Sequence, residues 1–288
     1  MRELAALVMR SHFHAMLVVG IFGALSLIFL PAGFLSAGAL GLVALRRGLA
    51  SALVVAAGAL PLVAVGWFFV RLRPGLGFPI VTILWVPLLA GAFALRRLQS
   101  QGAALLSVAL LCALGAIAMH LVTGDVVAFW QGWLSRAVAG VPGATVRGFE
   151  TDGTLRLMNG LAALFLGLAV MLSLLLARWM QSILYYPGGF GVEFRALGLP
   201  RIVSLIVVAA LLAAGGVSQV MLVDLLMVAI MMYFFVGLAV IHGIVNKRNL
   251  PWVWAAPPYL AVIFMPQYAM VGLAFLGVAD AFIRFRER

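Results

Sequence analysis

Apolar residues run along this chain in blocks rather than in alternation. Stretches such as ALVVAAGALPLVAVGWFFV, AALLSVALLCALGAIAMHLV and QVMLVDLLMVAIMMYFFVGLAV put hydrophobic side chains on every face of a helix, and short arginine-, glycine- or proline-bearing breaks separate them. A helix needs about 20 predominantly apolar residues to cross a bilayer. The pattern therefore predicts spans at 49–69, 76–95, 102–123, 156–177, 200–217 and 219–242. An outer-membrane barrel would alternate polar and apolar positions in segments of about 10 residues, and no such alternation is present.

Two further stretches, 14–45 and 252–283, do not fit one crossing. Each runs for about 32 residues, or ~48 Å as a helix, too long for one span and short for two. Pro31 with Gly33 breaks the first; Pro257, Pro258 and Pro266 with Gln267 break the second. Proline removes a backbone donor and clashes one turn back, so each stretch is expected to fold as a short helical hairpin. The expected fold class is all-α, a single polytopic helical membrane domain over 1–288 with eight to ten membrane segments.

Composition agrees: 66% of residues are hydrophobic, 9% are charged, and mean hydropathy is +1.20. No soluble domain has that balance. The net charge of +11 does not point to nucleic acid, because the arginines stand as singles or pairs between apolar runs. They read as topology markers. The single cysteine, Cys112, excludes an intramolecular disulfide and reads as a small buried apolar residue. Arg2 and Arg10 before an apolar run imitate a secretory signal, but more membrane sequence follows at once, so an uncleaved first span is expected.

The excess of basic residues on the cytoplasmic side arbitrates the segment count. With both stretches as hairpins there are ten segments and both termini are cytoplasmic. Only Arg71, Arg73, Arg136, Arg147 and Arg156 then fall outside. A single crossing at either stretch would export terminal arginines and weaken the bias.

The polar segment 124–153 then faces outward, as an interfacial element or a lid. Within it Val126, Phe129, Trp130, Trp133 and Ala137 recur at helical spacing, and indole rings favour the headgroup level. No phosphate loop, HExxH, GxSxG or CxxC occurs, so neither a catalytic residue nor a metal or cofactor site is expected. YYPGGFG at 185–191 reads as a flexible loop, and His12 with His14 as residues at a membrane entrance. Ionisable groups inside apolar runs carry more information, because burying a charge in hydrocarbon is costly. Asp224 lies about two turns into its span, where a hydrated cavity, Gln219 or Asn159 as partner, or a bound cation would satisfy it. His120, alone near the end of its span, reads as a packing residue. Asp280 precedes Arg284 by one helical turn, and an i,i+4 pair would neutralise it at the membrane boundary.

VGLAVIHGIVNKRNLPWVW at 236–254, the proline-broken hairpin after it and LGVADAFIRFRER at 276–288 resemble the C-terminal region of the YybS-like family, bacterial membrane proteins of unassigned function. Gly237, His242, Lys247, Arg248, Gly277, Asp280, Phe282 and Arg286 occupy matching places, while Val236 stands where the family has a polar residue. Elsewhere the likeness is topological. That family is similar in fold to the substrate-binding S components of energy-coupling-factor vitamin transporters, an analogy of fold rather than of motif.

The resemblance implies a non-enzymatic solute-binding module of the bacterial cytoplasmic (inner) membrane, without cofactor. Asp224, Trp130 and Trp133 are the expected solute-binding residues, and Asp280 with Arg284 the expected structural pair. Its expected partners are the lipid bilayer, a small-molecule solute and a membrane protein. The alternative is a scaffold or accessory protein of envelope assembly or division. Reporter fusions after Arg97 and after Arg288 are expected to report the cytoplasm, and one within 140–150 the periplasm. A periplasmic C-terminus would sink the ten-segment arrangement.

Overall fold

A computed structural model of the chain describes residues 1–70, 80–139, 148–149, 153–213 and 219–286. Among them are 13 α-helices and no strand. In order these are α1 (Arg2–Arg10), α2 (His12–Leu25), α3 (Ala32–Arg47), α4 (Leu49–Val70), α5 (Ile80–Leu98), α6 (Gln101–Thr123) and α7 (Val126–Val138), followed by α8 (Thr154–Tyr185), α9 (Gly189–Arg195), α10 (Arg201–Ala213), α11 (Gln219–Lys247), α12 (Ala256–Phe264) and α13 (Pro266–Ile283). A 3-10 turn, Trp252–Ala255, leads into α12. Six of these helices, α4, α5, α6, α8, α11 and α13, are long and apolar enough to cross a membrane. The protein is an all-α polytopic membrane protein. Arg71, Arg73, Arg147 and Arg288, the tip of the 124–153 segment and the end of the 200–217 span lie outside the described residues.

Both ambiguous stretches are broken helix pairs. Pro31 starts α3 after a turn, and α2 packs back on α3. Met265 interrupts the second stretch, and Pro266 opens α13 at a position where its missing donor costs nothing. The nine residues of α12 reach only about 14 Å, less than half of a ~30 Å hydrocarbon core. Contacts at the ends show that each stretch returns to the side it left. Arg47 donates to the Met9 carbonyl at 2.5 Å, and Lys247 Nζ donates to the Arg286 carbonyl at 3.2 Å.

The small residues of α3 put it at the centre. Ala32, Gly33 and the run Ser36 to Leu45 are buried, and α2, α4, α5 and α8 pack around it. A side chain at Gly38 would meet Leu176 of α8 at 2.8 Å, and one at Gly41 would meet Ala177 at 2.9 Å. In lipid, such residues let helices approach until van der Waals contact holds them. Ser36 Oγ donates to the Val19 carbonyl at 2.7 Å, joining α3 to α2. Large apolar side chains such as Leu121, Val122, Leu212, Phe264 and Phe275 stand exposed on the outside, where lipid would cover them.

Most of the described arginines gather at one end and bond the chain there, Arg136 and Arg156 lying at the other. Arg96 of α5 donates to the Ala44 and Leu45 carbonyls of the last turn of α3, at 3.3 and 3.4 Å. Arg201 of α10 donates to the Ala281 carbonyl of α13 at 2.8 Å. Arg178 of α8 holds Glu193 of α9 through two bonds of 2.7 Å, and Gln101 of α6 reaches the same carboxylate at 3.4 Å. These polar partners explain why α8 continues to Tyr185, past the predicted end at 177, and why YYPGGFG is not a flexible loop. Gly188, at φ +88°, turns the chain into α9, and the Phe190 N–H donates to Ser182 Oγ at 3.2 Å.

α11 and α13 cross with backbone against backbone. A Cβ at Gly237 would lie 2.0 Å from the Leu273 carbonyl oxygen, and one at Gly277 2.3 Å from that of Tyr233. Backbone cannot yield as a side-chain tip can. Gly237→Ala and Gly277→Ala are therefore expected each to cost about 1–3 kcal/mol by overpacking, read as a lower melting temperature in detergent. Gly115→Ala, whose Cβ would meet nothing within 4 Å, should be neutral or slightly stabilising.

Candidate functional site

Three polar side chains converge from three helices at the end opposite the arginines. His120 lies in the last turn of α6, Asn159 in the second turn of α8 and Asp224 in the second turn of α11. His120 Nε2 stands 2.6 Å from Asp224 Oδ2, and Asn159 Nδ2 donates to the same oxygen at 2.6 Å. Asn159 Nδ2 also reaches the Ala116 carbonyl at 3.3 Å. With a proton on His120 Nε2, one carboxylate oxygen accepts two hydrogen bonds. The other, Asp224 Oδ1, is buried and has none among the described residues.

Gly160 makes the seat possible. A Cβ there would lie 2.9 Å from both the Cα and Oδ1 of Asp224, so any side chain would displace the acid. Asp224 is 0% exposed and Asn159 3%, whereas the His120 side chain keeps 15%. The histidine is thus the group of the three nearest the outside. Such a cluster can hold a proton or accept a donor group.

Asn159 was foreseen as a partner of Asp224; His120 was not, and it is not a lone packing residue. The available signal was depth: each of the three falls one or two turns from the same end of its predicted span.

Trp130 and Trp133 do not join the cluster. Both lie on α7, whose Asp125 cap accepts from the Ala128 N–H at 3.0 Å, and α7 packs on α8 and α6. The two indoles meet edge to face at 5.6 Å, and Trp133 is 47% exposed. Neither lines the cleft at the arginine end. Trp133 stands on an exposed face, as an interfacial indole would, whereas Trp130 is half-buried and its Nε1 has no partner among the described residues.

The partner of Asp280 is Arg286, not Arg284. Arg286 Nη2 and Nε donate to Asp280 Oδ2 at 2.6 and 3.1 Å. Its Nη1 donates to the Arg195 and Leu197 carbonyls at 2.8 and 2.9 Å. The i,i+4 expectation fails because α13 ends at Ile283. Arg284 takes the left-handed conformation, φ +53°, and its backbone N–H caps the Asp280 carbonyl. The chain then folds back and brings the second arginine, not the first, to the acid.

His242 is bonded in the same region. Its Nδ1 donates to the Leu238 carbonyl at 2.8 Å, which leaves Nε2 to accept from the Tyr259 hydroxyl at 3.2 Å. His14, by contrast, is engaged locally by Ser11 Oγ at 2.7 Å at the break between α1 and α2. Beyond α8, burial pushes the Tyr186 phenol up to about 12, against the opposing influence of Arg178, so it remains neutral.

No family model, curated protein or solved structure matches the chain. Gly237, Gly277, His242, Lys247, Asp280 and Arg286 all lie at the seam that joins α11 to the α12–α13 hairpin.

Asp280→Ala and Arg286→Ala are each expected to destabilise the protein, and the double variant to cost less than their sum, with a coupling of about 1–3 kcal/mol. Arg284→Ala paired with Asp280→Ala should be nearly additive. Thermal unfolding in detergent reads both cycles; a coupled Arg284 with an uncoupled Arg286 would reverse the assignment.

Proposed function

We propose that this protein is a non-enzymatic solute-binding module of the bacterial cytoplasmic membrane, with both termini in the cytoplasm. His120, Asn159 and Asp224 form the locus that receives a hydrogen-bond donor of the solute. The carrying observation is the buried, unpartnered Asp224 Oδ1 at the convergence of three helices. An ionised aspartate costs about 2.5–3.5 kcal/mol at a helix centre on insertion scales and less toward the helix end, where Asp224 lies, whereas a polar bond between membrane helices returns on average ~0.6 kcal/mol. The two bonds to Oδ2 leave Oδ1 and its share of the cost unmet. A proton, a charged His120 or a bound donor offsets the remainder, and an unsatisfied buried acceptor is where a ligand belongs. The α7 helix beside this end of α6 and α8 serves as a lid, and the arrangement is the occluded one. The resemblance through the YybS-like family to transporter S components supports the same reading.

One observation favours the alternative, a scaffold or accessory protein of envelope assembly. Asp224 has no exposure, so without an opening motion the cluster acts as an interhelix lock. Thiol labelling separates the two. In a Cys112→Ala background, His120→Cys and Asp224→Cys are exposed to a membrane-impermeant thiol reagent from outside. The binding module predicts reaction at both positions, slower at 224. Labelling at 120 with none at 224 in a folded protein would remove the solute reading and leave the scaffold.

A further inference from the structure

At the arginine end, the residues between α9 and α10 and the end of α13 enclose a cleft of about 410 Å³ that the solute reading does not use. Arg195, Arg201, Arg286 and Asp280 line it, together with Arg284. Three of these guanidinium groups, those of Arg195, Arg201 and Arg286, against the one carboxylate of Asp280 leave a charge of 3 − 1 = +2 without counting Arg284. Each lining arginine is in a different state. Arg286 is held by Asp280 and by the Arg195 and Leu197 carbonyls. Arg201, exposed as a residue, is anchored at Nε by the Ala281 carbonyl at 2.8 Å and reaches the Phe282 carbonyl with Nη2 at 3.5 Å, which leaves Nη1 for a ligand. The half-buried Arg195 guanidinium has no hydrogen-bond or ion-pair partner among the described residues.

A half-buried guanidinium beside two positioned ones lacks an anion, and the planar donor fork of arginine matches phosphate oxygens. The position of the cleft decides which phosphate. It opens where the apolar helix α13 ends at Ile283 and where α10 begins at Arg201, the level at which a lipid headgroup lies. Directly along α10 from this mouth, Ile202, Leu205 and Ile206 stand exposed and offer an apolar track for an acyl chain. A free phosphate would use the arginines and leave that track unused. We propose that the cleft binds the phosphodiester headgroup of one anionic glycerophospholipid, Arg195 and Arg201 taking the phosphate while Asp280 fixes Arg286 beside it. Basic pockets between membrane helices bind anionic headgroups by this chemistry.

Native mass spectrometry of the full chain in a neutral detergent tests this, with phosphatidylglycerol, phosphatidylcholine and glycerol 3-phosphate as separate ligands. One equivalent of phosphatidylglycerol is expected to bind, at least about tenfold more tightly than phosphatidylcholine. Arg195→Gln removes no bond that holds the fold. It should weaken phosphatidylglycerol binding about tenfold, the size of one charge-assisted hydrogen bond, with an unchanged melting temperature. Arg10→Gln, an exposed arginine on α1, should not weaken it. Equal binding of the two lipids, an Arg195→Gln variant like the parent protein, or an equal loss in Arg10→Gln would overturn the site. Glycerol 3-phosphate binding as tightly as the lipid would overturn the lipid as its occupant.

Discussion

The last carbonyls of every α-helix have no partner within the helix, and a helix leaving hydrocarbon needs donors for them at the boundary. Here a neighbouring element often supplies those donors as an arginine. Arg47 of α3 serves α1, Arg96 of α5 serves α3, Arg201 of α10 serves α13, and Arg286 serves the end of α9. Each bond satisfies an acceptor, places a positive charge at the negative end of a helix dipole and ties two elements together. The bundle is therefore fastened at one end by charge-assisted bonds. Away from that end, close packing of small residues holds it, as at Gly38, Gly41 and the Gly237–Gly277 crossing.

At the opposite end, Asp125 caps α7 and the His120–Asn159–Asp224 cluster ties α6, α8 and α11 together. Low dielectric makes each of those bonds stronger than in water and makes an unmet acceptor more costly. Gly160 allows Asp224 to approach α8 closely enough for Asn159 to reach it.

Several residues near the C-terminus share one physical task, docking the α12–α13 hairpin on α11. Gly237 and Gly277 permit backbone contact, His242 is bonded by Leu238 and Tyr259, and Asp280 with Lys247 holds the returning chain through Arg286. None of them touches the cluster at the other end.

Residue order alone determined what depends on local composition. Long apolar runs demanded membrane helices, Pro31 and Pro266 demanded breaks, and the arginines marked one side, because each effect acts within a few turns of the residue responsible. Asp224 and Asp280 were recognisable as costly wherever they pointed. Their partners were decided by tertiary structure. His120 is 104 positions from Asp224, and only the packing of α6 against α11 brings them to 2.6 Å. Arg286 displaced Arg284 because the left-handed residue at the end of α13 reverses the chain, a geometry that helical spacing cannot foresee. Trp130 and Trp133 carry the chemistry of an interface and of a pocket equally in the sequence, and which face α7 turns to its neighbours, half-burying Trp130 and exposing Trp133, is set by tertiary packing that a lone amphipathic helix does not contain.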